Sequence, residues 1–212
     1  MNLADLRLNY TRDSLNEDAM PNDPLVLFDA WLKEVIESEM PDPNAMTLAT
    51  VDANHQPSQR IVLLKGRPND QFVFFTNYES NKAKDVQSNA KVSLHFPWYA
   101  LERQVMVLGN ISKISDQEND AYFGSRPKQS QVGAYVSKQS QVLSSKEELV
   151  DAYQAMLAEY TDKSVPRPNW GGYVVSPHTI EFWQGGSARL HDRIRYTREH
   201  ANVSWQFVRL NP

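Results

Sequence analysis

Near the C-terminus the stretch EFWQGGSARLHDRIRY places Arg189, His191, Arg193 and Arg195 at every second position. On a strand, side chains alternate between faces, so these four would share one face and Leu190, Ile194 and Tyr196 the other. Alternation of this kind is the ordinary pattern of a half-buried antiparallel strand. A row of like charges beside only Asp192 repels itself unless an anion offsets it. Arginine suits phosphate, because its planar fork makes paired, charge-assisted hydrogen bonds. The stretch therefore poses a question about a phosphate-bearing ligand.

Four other stretches bear on that question. RIVLLK sets Arg60 and Lys65 at the two ends of an apolar run. In an ideal strand these two face opposite ways, so they serve one ligand only if the strand bends or Lys65 lies beyond it. A plain strand with solvated ends fits this segment equally well. FTNYESNK puts Thr76 at a strand end and Lys82 in the first turn of a helix, where amides attract phosphate; an ordinary cap with a surface lysine is the commoner arrangement. Gln104, in LERQV, could read a heterocycle through its amide or sit on a solvated edge. In YFGSRPKQSQVGAYVSKQSQ, Tyr122, Arg126 and Ser130 are spaced at four, but Pro127 breaks a continuous helix, so a helix end plus loop is expected. Gln139 and Ser140 add amide and hydroxyl groups to what would be a phosphate cradle, and a polar surface loop is the alternative.

The elements that would hold these residues follow from periodicity. Residues 1–22 read as a mobile arm, with a short helix around Leu3–Tyr10. Asp23-Pro24 is an N-cap followed by proline, opening an amphipathic helix over 24–38 with Leu25, Phe28, Leu32, Val35 and Ile36 on one face. Strands are expected at Met46–Val51, Ser58–Leu64, Gln71–Thr76, Val92–Phe96 and Gln104–Ile114, with a helix at Ser80–Gln87 capped by Ser80. Ser115-x-x-Glu118 and Ser144-x-x-Glu147 are capping-box patterns opening helices near 116–124 and 145–160. Strand signals return at Tyr173–Val175, Thr179–Trp183, Arg189–Tyr196 and Val203–Arg209. Residues 23–212 thus read as a single α+β domain with a β-barrel core.

Composition narrows the function. Net charge is −4 and no basic block stands out, which argues against non-specific nucleic-acid binding. There is no cysteine, so thiolate catalysis and cysteine-ligated metals are excluded. The histidines at 55, 95, 178, 191 and 200 form no HExxH pair, and no metal site is expected. No Walker loop, GxGxxG or GxSxG is present, so a bound organic cofactor is expected to carry any difficult chemistry. The N-terminus has no signal-peptide core and no run is long enough to span a membrane, so a cytoplasmic protein is expected.

Taken together, RIVLLK, FTN, FPW with LERQVMV, YFGSRPKQSQVGAYVSKQS, WGGYVVSP, IEFWQGG, RLHDR and the terminal RLNP resemble the pyridoxamine 5′-phosphate oxidase family, in order and over most of the chain. IEFWQG followed by RLHDR is the most specific part. The resemblance implies an antiparallel, Greek-key-like split β-barrel with flanking helices, forming a homodimer with FMN at the subunit interface. It implies oxidation of pyridoxamine 5′-phosphate and pyridoxine 5′-phosphate to pyridoxal 5′-phosphate, with O2 reduced to H2O2. By resemblance, Arg60, Ile61, Val62, Leu63, Leu64, Lys65, Phe75, Thr76, Asn81, Lys82, Gln104, Gln139, Ser140, Trp183 and Arg193 hold FMN. Lys65, Tyr122, Arg126 and Ser130 hold the substrate phosphate, Arg189, Leu190 and His191 cover the pyridine ring, and Arg7 and Tyr10 close over it. Arg189 and His191 are the residues implied to act in catalysis, and Arg195 is left solvated. One departure stands out: Asn81 occupies a position where the family usually has arginine. Two rivals remain, a nicotinamide-dependent split-barrel reductase and a non-catalytic carrier of pyridoxal 5′-phosphate.

Overall fold

The computed structural model describes residues 9–212. Helix α1 (Pro24–Glu37) begins where Asp23 accepts the Leu25 N–H at 2.9 Å, with Pro24 preset for the first turn. Its buried face carries Leu25, Phe28, Trp31 and Val35. Phe28 lies edge-on to Phe72 and Phe96 at 5.1 and 5.0 Å between ring centroids, so the helix is held by an aromatic core. Truncating Phe28 to alanine would cost about 3–5 kcal/mol.

That core lines one antiparallel sheet built from β1 (Ala45–Val51), β2 (Pro57–Leu63), β3 (Phe72–Asn77), β4 (Lys91–Phe96), β5 (Arg103–Lys113), β6 (Trp170–Gln184), β7 (Asp192–Thr197) and β8 (Gln206–Arg209). The order is β2-β1-β4-β5-β6-β7-β8, with β3 also paired to β6. The sheet curls but does not close, as in a split barrel. Strands expected separately at Tyr173–Val175 and Thr179–Trp183 are one long β6. Its first half carries β3 and its second half carries β7, with β5 along both. The join is a register shift where Leu108 faces Thr179 but Gly109 faces Pro177. A Cβ on Gly109 would stand 2.5 Å from the Ser176 carbonyl, so only glycine lets the strands approach there.

Helix α2 (Asn81–Ser88) follows β3, and α3 (Asp116–Ser125), α4 (Lys128–Val136) and α5 (Lys146–Glu159) connect β5 to β6 over a second core of Phe123, Val132, Met156, Val165 and Trp170. The capping box of α3 forms as expected between Ser115 and Glu118. At α5 the expected box between Ser144 and Glu147 does not form; the cap is Ser145, one residue later, which accepts the Glu148 N–H at 3.1 Å without a reciprocal bond. Ser80 precedes α2 but makes no cap; its hydroxyl donates to the Asn77 carbonyl at 2.7 Å. The loop expected after Pro127 is instead helix α4, which proline starts rather than ends.

The largest correction concerns Arg189–Tyr196. The strand begins only at Asp192, because Ser187–Arg189 form a tight turn with Ala188 and Arg189 at φ 53° and 64°. Alternation therefore governs Arg193 and Arg195 against buried Ile194 and Tyr196, but not Arg189, Leu190 or His191. Arg7, and residues 3–8 of the helix expected around Leu3–Tyr10, lie outside the described residues; Asn9 and Tyr10 are not helical. From Asn9 onward the N-terminal segment lies on the domain. The Thr11 and Arg12 N–H groups donate to the Glu102 carboxylate at 2.9 and 3.0 Å. Asp13 pairs with buried Arg103 at 2.7 Å, and Leu15 is buried.

Candidate functional site

The residues of interest fall into two groups. The first lines a cleft of about 610 Å³ between β2, β3, α2 and the α3–α4 junction. Arg60, Ile61, Val62, Leu63 and Lys65 form one wall. Strand β2 ends at Leu63, so Lys65 lies just beyond it, where its N–H donates to the Val73 carbonyl at 2.8 Å. That break in alternation lets Arg60 and Lys65 serve one space. Leu64 turns the other way: it is buried in the core, and both its N–H and its carbonyl are bonded to Asn44.

The floor holds Thr76, Lys82 and Gln139. The buried Lys82 ammonium donates to Gln139 Oε1 at 2.7 Å, Thr76 Oγ1 at 3.1 Å and Ser80 Oγ at 3.2 Å, all neutral acceptors. Burial, then the charge of Arg60, push its pKa down to about 8, while Asp85 opposes the shift. Asn81 is exposed at the start of α2, its N–H 3.3 Å from Ser140 Oγ.

The opposite wall is a slab of rings. Phe75 stacks on Tyr122 at 3.7 Å and on Trp170 at 5.4 Å. Arg126 lies 4.4 Å over Trp170, and its Nη1 is buried with no hydrogen-bond partner among the described residues. Burial lowers the Arg126 pKa and raises that of Tyr122. Ser130, on the first turn of α4, lines the same space. Tyr122, Arg126 and Ser130 thus converge although no single helix carries them. A half-buried guanidinium with an unpartnered Nη1 beside three further cations, Arg60, Lys65 and Lys82, with no carboxylate on the cleft wall, fits a phosphorylated ligand.

The second group lies at the far end of β6. Trp183 faces Gln104 on β5 and Arg193 on β7 in the sheet register. Gln104 Oε1 is 2.9 Å from His95 Nε2. The Trp183 ring is 4.7 Å from His191 and 5.7 Å from Tyr10. Gly185 permits this packing, since a Cβ there would meet the Tyr10 ring at 2.7 Å. His191 Nδ1 accepts the Gly186 N–H at 3.1 Å, which leaves Nε2 to carry the ring proton of the neutral form. Arg189 and Leu190 are exposed, and Arg189 has no hydrogen-bond partner among the described residues. Arg193 is engaged, donating to Glu181 Oε1 from Nε at 2.9 Å and Nη2 at 2.7 Å, and to the Asn211 carbonyl at 3.1 Å. Arg195 is not simply solvated: its Nε is buried without a hydrogen-bond partner among the described residues.

Sequence reading missed Trp170, Glu181 and Asp85. Trp170 sat in a quoted motif, but nothing local shows that it completes a ring stack. Glu181 and Asp85 matter through partners on other strands.

Fold and cleft together define a split-barrel protein with a cationic cleft suited to a phosphorylated ligand. A model of the family described as pyridoxamine 5′-phosphate oxidase matches residues 32–160, and one described as the pyridoxine 5′-phosphate oxidase C-terminal dimerisation region matches 170–212. A pyridoxine/pyridoxamine 5′-phosphate oxidase of Teredinibacter turnerae is 53% identical with 100% of both chains covered. Its Alteromonas mediterranea counterpart is 49% identical, again with 100% of each chain covered. Among solved structures, PhzG from Burkholderia lata in complex with tetrahydrophenazine-1-carboxylic acid has a TM-score of 0.87 and 28% identity, covering 94% of this chain and 98% of that one. An FMN-binding, pyridoxamine 5′-phosphate oxidase-related protein of Nostoc punctiforme shares the fold at a TM-score of 0.71, with 17% identity and coverage of 91% and 100%. The chain belongs to the pyridoxamine 5′-phosphate oxidase family.

Proposed function

We propose that this protein is an FMN-dependent oxidase that converts pyridoxamine 5′-phosphate and pyridoxine 5′-phosphate to pyridoxal 5′-phosphate, reducing O2 to H2O2. The observation that carries the reading is the cleft itself, where Arg60, Lys65, Lys82 and Arg126 converge and no acidic side chain lines the wall. Such a surplus of cations suits two phosphate groups, one from a flavin and one from a substrate.

Bound FMN would supply a two-electron acceptor for the substrate's C4′ carbon and a route for those electrons to O2. The chain supplies binding and orientation. Arg60 and Lys82, with Thr76 and Gln139, would hold the flavin phosphate. Lys65, Tyr122, Arg126 and Ser130 would hold the substrate phosphate, and the stacked Phe75, Tyr122 and Trp170 rings would give that wall an apolar face. The proton on His191 Nε2 is free to donate to a polar group of the pyridine substrate. Residues of the second group, including Trp183, Arg189, His191 and Arg193, would complete the site from a partner subunit of a homodimer. The match of 170–212 to a dimerisation region supports that assembly. Orientation of this kind accounts for catalysis without a strong acid or base.

The likeness to PhzG supports a second reading, a flavin oxidase acting on a carboxylated tricycle. The phosphate-suited geometry around Arg126 favours the first. The test is the visible spectrum of purified protein before and after anaerobic addition of pyridoxamine 5′-phosphate. Flavin bands should bleach with substrate and return with air. Bands that bleach only with a phosphate-free substrate would select the second reading. A protein still colourless after incubation with excess FMN would overturn both and favour the carrier.

A further inference from the structure

We infer that Asp85, outside the cleft wall, is a positioning residue that holds Arg60 in the orientation needed to grip a flavin phosphate; the inference rests on the FMN reading above. The two charged groups do not pair face to face. Arg60 Nη2 is 3.9 Å from Asp85 Oδ2, and their side chains are 21% and 12% exposed. Two hydroxyls lie between them. Thr50 Oγ1 donates to Asp85 Oδ2 at 2.6 Å and Ser58 Oγ does so at 3.2 Å. Arg60 Nη1 reaches Thr50 Oγ1 and Nη2 reaches Ser58 Oγ, each at 2.6 Å, while Nη1 also meets the Leu48 carbonyl at 3.3 Å.

The direction of every proton in this ring of bonds follows from one fact: an ionised carboxylate only accepts. Both hydroxyls must give their protons to Asp85, so both present lone pairs to Arg60. The guanidinium is thereby pinned in its plane. Its Nε–H and one Nη2–H have no acceptor among the described residues, and Arg60 lines the cleft beside Lys82. Without the carboxylate, the hydroxyls could rotate and offer protons toward the cation. Arg60 and Lys82, both partly buried, would then repel each other with no nearby anion. Burial lowers the pKa of both, and Asp85 opposes each shift. A fork held ready before the ligand arrives loses less freedom on binding, so its benefit falls on phosphate and not on the flavin ring.

The experiment titrates apoprotein with FMN and with riboflavin, which lacks the phosphate, following flavin fluorescence. Wild type, Asp85→Ala, Asp85→Asn and Thr50→Val are compared, with thermal melting of each apoprotein alongside. Asp85→Ala should raise the Kd for FMN about tenfold and leave that for riboflavin within about twofold. Thr50→Val, which keeps the carboxylate but removes a bridging hydroxyl, should show the same phosphate-selective loss. Asp85→Asn, which retains an oxygen acceptor, should lose less than Asp85→Ala. Should Asp85→Ala fail to fold, Thr50→Val decides. Unchanged or tighter FMN binding, or parallel weakening of both flavins, would overturn the role of Asp85. A wild-type protein that does not prefer FMN to riboflavin would instead overturn the flavin-phosphate reading on which it rests.

Discussion

The cleft beside β2 and the cluster at the end of β6 carry similar residue types in opposite states. In the cleft, Arg60, Lys82 and Arg126 are partly or wholly buried and touch mainly neutral groups, while Lys65 is exposed at the rim. Lys82 sits among Thr76, Ser80 and Gln139, and Arg126 keeps an unpartnered Nη1. At the end of β6, Arg193 is already joined to Glu181, while Arg189 and Leu190 stand exposed on a turn. The first region is prepared for an anion within one chain. The second offers rings and an exposed guanidinium that has no hydrogen-bond partner among the described residues. A binding site is costly to hold empty where cations are buried, and cheap where they are exposed or paired. The contrast suits a cofactor held by the cleft and a smaller, exchanging ligand touched by the turn.

Four measurements sharpen or break that contrast. The largest effect is expected from Arg189→Ala, which should lower turnover about a hundredfold through lost orientation while the Kd for FMN stays nearly constant. The reverse pattern would move Arg189 to the cofactor and merge the two regions. Arg126→Ala should raise the substrate KM at least about tenfold, because it removes charge-assisted hydrogen bonds to phosphate. An unchanged KM would place the substrate phosphate elsewhere. Asn81→Arg should tighten FMN binding about tenfold, restoring a guanidinium at the start of α2 beside Ser140. Equal affinities would show that Arg60 and Lys82 suffice.

The smallest effect is a pH dependence. The Lys82 pKa in the free protein is pushed down to about 8, and a bound phosphate would raise it. Binding therefore benefits fully below that pH and weakens as pH rises through it. Between pH 7 and 8.5 the Kd for FMN should rise about fourfold by proton linkage. Lys82→Met should flatten the profile; a wild-type profile already flat would remove Lys82 from the phosphate contact.

Much of the fold was legible because local signals agreed with it. Asp23-Pro24 marked the start of α1, and Ser115 with Glu118 marked α3. Failures occurred where a local rule had two outcomes. Pro127 ends one helix and begins another, and only the packing of Val132 against the second core selects the latter. Alternation over Arg189–Tyr196 looked unbroken, yet Ala188 and Arg189 adopt left-handed backbone that no spacing rule reveals. Likewise β6 continues through Pro177 because a shifted register on β5 absorbs it.

By itself, then, the sequence determined the residue chemistry: arginines and lysines beside hydroxyls and amides, no cysteine, and motifs that resemble one oxidase family. It also determined most elements, since capping and periodicity act over a few residues. The tertiary structure alone decided which cations meet. Arg60, Lys82 and Arg126 come from a strand, a helix and an interhelical junction, and their common cleft depends on strand register and helix packing. It alone decided that Arg193 pairs diagonally with Glu181 and that Asp85 reaches Arg60 through two hydroxyls. Those pairings join residues on different elements, and pairing across elements is a property of the folded sheet and not of sequence neighbours.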